Sequence, residues 1–236
     1  MLPKSRLSSC VCVVIAILVA CGNDATAPSA STAASSPSTS PRESASSAPV
    51  CPNPEGEACL GKLAPGTYTT VVFTPTLTYT VPAGWSNFED TPGNFLLVAP
   101  GYDLAGVNPG TSDYIGVYTR VAACEGPESG VGGSPDDIAG LLTHQRDLQT
   151  TTPRQVSVGG LDGVVLDIKL AKGSDACFIS GLTPSSLEHG LIPGLTIRLY
   201  LLRRSGTLAI EVDDVRGGGN HLDDYSSVVK RMRFRS

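Results

Sequence analysis

Apolar and β-branched residues recur with the period of a strand in eight stretches of this 236-residue chain. They are residues 68–73, 77–81, 95–99, 114–121, 155–158, 164–170, 196–202 and 207–212. Gly159-Gly160 and Asp162-Gly163 read as turns between two of these runs. Ser205-Gly206 predicts a tight antiparallel hairpin between Leu202 and Thr207. Helical period appears twice. Ser134-Pro135-Asp136-Asp137 offers an N-cap serine, a proline at the first helical position and an acid at the third. Ile138, Leu141, Leu142 and Leu148 then fall on one face. From Asn220 onward, Leu222, Tyr225, Val228, Val229 and Met232 repeat at helical spacing. Lys230 and Arg231 follow at the end where a helix favours cations. Strands, a helix, more strands and a closing helix predict an α+β fold with an antiparallel sheet and two main helices packed on it. The alternative is a mainly-β sandwich.

The N-terminal region has a different pattern. Lys4 and Arg6 precede an apolar run from about Leu7 to Ala20, and Leu18-Val19-Ala20 leads directly to Cys21. The run falls short of the roughly 20 residues that cross a bilayer. An ordinary secretory signal needs no cysteine behind its cleavage site. Leu18-Val19-Ala20-Cys21 resembles the lipobox of bacterial lipoproteins. The resemblance implies a signal peptide over residues 1–20 and a diacylglyceryl thioether on Cys21, with palmitate-type chains. It places the chain on the extracytoplasmic face of the cell membrane. Two or more acyl chains suffice for stable anchoring.

Residues 22–50 form a spacer. Ala, Ser, Thr and Pro make up 23 of its 29 positions. Such a segment buries too little surface to offset ordering entropy and is expected to be disordered. Residues 51–236 remain as one globular domain, long enough for a sizeable core. Loss of Lys4 and Arg6 with the signal takes the formal charge from −5 to −7. No basic stretch interleaved with aromatics points to nucleic acid. A net-negative chain is not drawn to an anionic surface without its lipid. Removal of the signal also takes Cys10 and Cys12. With Cys21 lipidated, Cys51, Cys59, Cys124 and Cys177 remain. An even count in an oxidising compartment predicts two disulfides. Of three connectivities, Cys51–Cys59 with Cys124–Cys177 is favoured. No Cys-x-x-Cys pair suggests a metal site.

Three segments carry a second resemblance. They are Tyr79-Thr80-Val81-Pro82-Ala83-Gly84-Trp85, the run Thr207-Leu208-Ala209-Ile210-Glu211-Val212, and Tyr225 through Phe234. They resemble the opening strand with its Pro-x-Gly-Trp turn, the penultimate strand and the closing helix of PsbP-like α/β/α sandwich domains. Actinobacterial lipoproteins of this type share the lipobox and the Ser/Pro-rich linker. The resemblance implies a sandwich fold and a binding or accessory role. It implies no catalytic residues, since that family shares none.

The residues that carry chemistry are few. Ser227-Val228-Val229-Lys230 matches S-x-x-K, but the S-D-N and K-T-G partners of that chemistry are absent. No G-x-S-x-G elbow occurs. His144, His189 and His221 are scattered, with no triad signature around them. The acids Glu211, Asp213, Asp214, Asp223 and Asp224 flank Gly217-Gly218-Gly219 without the spacing of a calcium loop. That glycine run reads as a flexible connector. The expectation is no metal and no cofactor. Long connections at residues 100–112 and 183–194 are the places for a ligand surface, with Trp85 and Tyr102 as candidate contacts. The leading reading is a non-enzymatic envelope module that binds a small ligand or an envelope protein. Its alternatives are an envelope hydrolase with a dispersed active site and an accessory subunit of a membrane complex.

Overall fold

Strands that alternate on both faces need cover on both, and three layers supply it here. The computed structural model describes residues 60–104, 111–119, 121, 133–175, 177–178 and 190–235. They belong to one compact unit, Ala45–Ser236. Cys21, the spacer, Cys51, Cys59, Cys124 and His189 lie outside the described residues, as does the side chain of Cys177.

In chain order the first strands are β1 (Gly61–Lys62), β2 (Gly66–Thr69), β3 (Thr76–Val81), β4 (Ser86–Thr91), β5 (Asn94–Val98) and β6 (Tyr114–Tyr118). Helix α1 (Pro135–His144) precedes β7 (Leu148–Thr150), β8 (Arg154–Val158), β9 (Leu161–Leu170), β10 (Cys177–Phe178), β11 (Gly190–Leu191), β12 (Thr196–Arg204) and β13 (Gly206–Asp214). Helix α2 (Leu222–Val229) and β14 (Arg233–Arg235) close the chain. The large antiparallel sheet runs β1-β4-β5-β6-β13-β12-β9-β7, with β8 also on β9. A smaller sheet runs β14-β3-β2. The fold is α+β, with two helices packed on an antiparallel sheet.

One face of the large sheet presents Phe95, Leu97, Ile115, Val117, Leu202, Ile210 and Val212. They pack against Leu77, Tyr79 and Val81 of the small sheet and Leu222, Val228 and Val229 of α2. The other face presents Leu166, Ile168, Ile197, Leu199 and Leu201 to Ile138, Ala139 and Leu142 of α1. Central strands buried on both sides explain the near-continuous apolar runs in β9 and β12. Burial of a Leu or Ile side chain contributes about 2 kcal/mol, so each layer depends on the other two.

Helix α1 starts as its sequence dictates. Ser134 Oγ accepts from Asp137 N at 3.2 Å, and Asp137 Oδ2 accepts from Ser134 N at 3.1 Å, a reciprocal cap. Its buried stripe is Ile138, Ala139 and Leu142. Leu141 is 48% exposed, and Leu148 has left the helix for β7. The helix ends at His144 and turns its face by one position from the predicted one.

The Ser205-Gly206 hairpin forms, with Arg204 paired to Gly206. Gly159-Gly160 turns β8 into β9 with both residues at positive φ. Asp162-Gly163 is not a turn. Gly163 sits inside β9 opposite Leu202, and a Cβ there would overlap the Leu201 carbonyl. The run predicted at 68–73 stops pairing at Thr69 because the buried Asp90 carboxylate accepts the N–H groups of Val71, Val72 and Phe73 at 2.7, 3.2 and 2.7 Å.

The two glycines give a paired test of the β9 packing. Gly163→Ala is expected to cost about 3 kcal/mol or to prevent folding, because backbone must move. Gly160→Ala meets nothing within 4 Å and pays only for its positive φ, about 1 kcal/mol. Urea unfolding of both variants checks the contrast.

Candidate functional site

Functional side chains converge where β13 hands over to α2. Asp113, just before β6, and Asp214, the last residue of β13, are both fully buried. Asp113 Oδ1 accepts from Val215 N at 2.8 Å and Arg216 N at 3.1 Å. Its Oδ2 accepts from Arg216 Nε at 3.3 Å and from the Tyr225 hydroxyl at 2.9 Å. Asp214 accepts from the N–H groups of Gly217, Gly219 and His221 at 2.7, 2.9 and 2.7 Å. Its Oδ1 also faces His221 Nδ1 at 3.1 Å. The glycine run is therefore a tied loop and not a flexible connector. Gly217 lies so close to the Asp214 carboxylate and the His221 ring that any side chain would overlap both. Gly218 and Gly219 take φ of 58° and 102°, which favours glycine.

Burial pushes the Asp113 carboxyl up, but the Arg216 N–H, the Tyr225 hydroxyl and further donors outweigh it. The group is held below the usual carboxylate range. The same contact works the other way on Tyr225, whose phenol is raised by burial and by Asp113. Ligand atoms of Asp113, Asp214 and His221 lie within 4.8 Å of one another, the donor set of a cation site. The two carboxylates already accept from N–H and O–H donors, and Arg216 supplies the positive charge. The cluster is a latch that closes the β13–α2 connection.

Arg216 extends the latch outward. Its guanidinium lies 3.9 Å from the centre of the Tyr102 ring and donates to Pro100 O at 3.0 Å. Tyr102 in turn walls a cavity of about 560 Å³ lined by Lys62, Gly84, Ser86, Gly101, Tyr102, Asp103 and Leu104. This is the 100–112 connection that the sequence singled out, of which residues 105–110 lie outside the described set. Trp85 does not reach the cavity surface. It is 3% exposed and meets Tyr225 edge to face, 5.5 Å between centres. A second cavity, about 400 Å³, is lined by residues that include Gln149, Thr151, Asp167, Lys169, Thr196 and Gly218. No described histidine lines either cavity. His144 is exposed with Nδ1 2.7 Å from Gly140 O. His221 has the buried acid of a triad but, among the described residues, no hydroxyl or thiol bonded to its ring.

The remaining acids go to different places. Asp223 pairs with Arg198 at 2.5 Å, while Arg198 also binds Asp167 at 2.6 Å. Glu211 and Asp213 point to the other face of β13 and are fully buried there. Tyr114 donates to Glu211 Oε1 at 3.1 Å. Burial first, and then the charge of Glu211, raises the Asp213 carboxyl well above its ordinary range. The nearby Glu211 charge therefore disfavours ionisation of Asp213. Sequence reasoning missed Asp113 and Arg216, which stand in runs with no motif and meet across about a hundred residues.

No protein-family model matches the chain, and no curated protein matches it. Several solved structures do. LpqN of Mycobacterium tuberculosis, involved in cell envelope biogenesis, is similar at 13% identity over 72% of this chain and 92% of its own, with a TM-score of 0.42. A protein of Bacteroides thetaiotaomicron VPI-5482 is similar at 15% identity, 68% and 45% coverage and a TM-score of 0.33. The PsbP of Synechocystis sp. PCC 6803, CyanoP, is similar at 9% identity, 67% and 86% coverage and a TM-score of 0.30. The fold class here rests on the sheets and helices themselves, and no residue role is taken from these proteins. No helix among the described residues is long and apolar enough to cross a membrane.

The two buried acids give opposite pH signatures. Asp113 is depressed in the folded state, so its stabilisation is present above about pH 4 and lost as pH falls through its folded value. Asp213 is raised, so stability declines as pH rises from about 4 towards its folded value. Asp113→Asn is expected to lose about 3 kcal/mol at neutral pH and to flatten the acid limb. Asp213→Asn is expected to gain stability at neutral and alkaline pH and to flatten that limb. Denaturant melts from acid to alkaline pH check both signs.

Proposed function

We propose that the chain is a lipid-anchored cell-envelope module that binds a small amphiphilic ligand and performs no chemistry on it. The observation that carries the reading is the cavity beside Tyr102. Its walls offer an aromatic ring, an aliphatic Leu104, a hydroxyl at Ser86 and a cation at Lys62. That set suits a ligand with an apolar body and an anionic or hydroxylated head. The titratable groups nearby are spent on structure. Asp113 and Arg216 hold the loop, and the Asp214–His221 pair closes the glycine turn. A hydrolase would need a nucleophile against a base in the same cleft, and the described residues provide none. The lipobox at Leu18-Val19-Ala20-Cys21 supports the address.

Three experiments test this proposal. The fluorescent anionic probe anilinonaphthalene sulfonate is expected to bind the full chain saturably with one site, weakening about tenfold in Tyr102→Ala and Lys62→Ala. Fluorophosphonate, which acylates active serines, is expected to leave the chain unlabelled. Labelling of a single serine would overturn the non-enzymatic reading in favour of the hydrolase. Separately, Cys21→Ala is expected to move the chain from the membrane fraction to the soluble fraction of its host in a high-salt wash, which leaves the acylated chain on the membrane. Continued membrane association of the same kind would remove the lipid anchor.

A further inference from the structure

The last residues of the chain read Lys230-Arg231-Met232-Arg233-Phe234-Arg235, four cations in six positions with no acid. In the structure all four are exposed, while Met232 is buried and Phe234 half-buried. Alternation along β14 separates them. Phe234 pairs with Leu77 and packs on the core, while Arg233 and Arg235 pair with Thr78 and Thr76 and share the opposite, outer face of the small sheet. The same face continues through Thr69, opposite Thr78, and Thr67, opposite Thr80. The paired threonine hydroxyls meet at 3.2 and 2.8 Å. The result is a row of hydroxyls bordered by Arg235 and by Arg233, whose guanidinium donates to the Lys230 and Met232 carbonyls.

Three other arginines of the domain are paired with acids, while Arg146, Arg154 and Arg204 form no ion pair among the described residues. Arg198 is bound to Asp167 and Asp223, Arg203 to Asp136, and Arg216 to Asp113. Among the described residues no carboxylate forms an ion pair with Lys230, Arg231, Arg233 or Arg235. The cationic cluster therefore keeps its charge on a chain that is acidic as a whole. Beside it, at the end of the sheet where Thr76 meets Arg235, the β2–β3 loop exposes two adjacent valines, Val71 (41%) and Val72 (38%). Their backbone is clamped by Asp90, so the valines are presented by a braced loop. Clustered cations beside a projecting apolar tip are the elements of interfacial binding to an anionic bilayer.

We propose that this face, with Val71, Val72, Arg233 and Arg235 and with Lys230 and Arg231 next to it in the chain at the end of α2, docks the domain onto an anionic phospholipid bilayer. The cations meet headgroup phosphates, the threonine face adds hydrogen-bond donors, and the valines enter the acyl boundary. The docking fixes which side of the domain faces the membrane. It needs no lipid on the chain, so it stands or falls apart from the anchor at Cys21.

The test uses the full chain carrying Cys21→Ala, which cannot be acylated. Co-flotation is compared on vesicles of phosphatidylcholine alone and of phosphatidylcholine mixed with phosphatidylglycerol. Binding is expected on the mixed vesicles, falling in high salt. Each cation near such a surface is worth about fivefold in partitioning. Changing all four to glutamine is therefore expected to lose roughly a hundredfold or more. Val71→Ser with Val72→Ser, which leaves every charge in place, is expected to lose about tenfold while keeping the salt dependence. That variant keeps the test decisive if the four-fold variant does not fold. Equal binding to both kinds of vesicle, unchanged partitioning of the variants, competition by inorganic phosphate, or equal affinity for duplex DNA would each overturn the proposal.

Discussion

One buried carboxylate holds together parts of the chain that are far apart in sequence. Asp113 stands at the start of β6 and binds the backbone of Val215 and Arg216 just beyond β13. It also takes the hydroxyl of Tyr225 on α2 and the guanidinium of Arg216. A buried acid without donors would take up a proton, and its backbone partners would lose their bonds. With four donors it stays ionised. Charge-assisted bonds of this kind are about twice as strong as neutral ones. Through them the loop that walls the cavity, the glycine turn and α2 become one unit. Arg216 passes the constraint to Tyr102, so the wall of the cavity is set by the same contact that fixes the helix.

The layers were legible in the sequence because burial leaves a period. β9, β12 and β13 and the hairpin at Ser205 stand out in the alternation, and the capping residues Ser134, Pro135 and Asp137 mark the start of α1. Where the reading failed, local chemistry resembled something else. β4 is Ser-Asn-Phe-Glu-Asp-Thr, polar enough to pass for a loop, yet Ser86, Asn87 and Asp90 are buried between neighbours. Asp162-Gly163 has turn composition, but its glycine is required by a close approach to the backbone of β12. Val71-Val72-Phe73 has strand composition, but Asp90 takes the N–H groups that a ladder would need.

The candidate site was legible only in part. Tyr102 could be named because it is an aromatic residue in a long Pro/Gly-rich connection. Its structural partner could not, since nothing near Arg216 in the chain announces an aromatic contact. Trp85 was named on residue type, and the fold uses it as a core edge against Tyr225. The acids around Gly217–Gly219 look like one cluster in the sequence. Strand alternation sends Glu211 and Asp213 to one face and Asp214 to the other, and Arg198 draws Asp223 away. A side-chain period of two therefore turns one apparent carboxylate site into three unrelated environments.

The same separation applies to charge. A net value describes the far field, which salt screens within about a Debye length. A contact surface is decided by charges closer than that. The chain spends its acids inward, on Asp90, Asp113, Asp214, Glu211 and Asp213, where they are buried and most serve as acceptors. Among the described residues it leaves the cations at the C-terminal edge without a carboxylate ion pair. An acidic composition and a basic face are then consistent, because six of the 22 acids that set the total are buried among the described residues. What the surface presents is the arrangement that the buried acids hold in place.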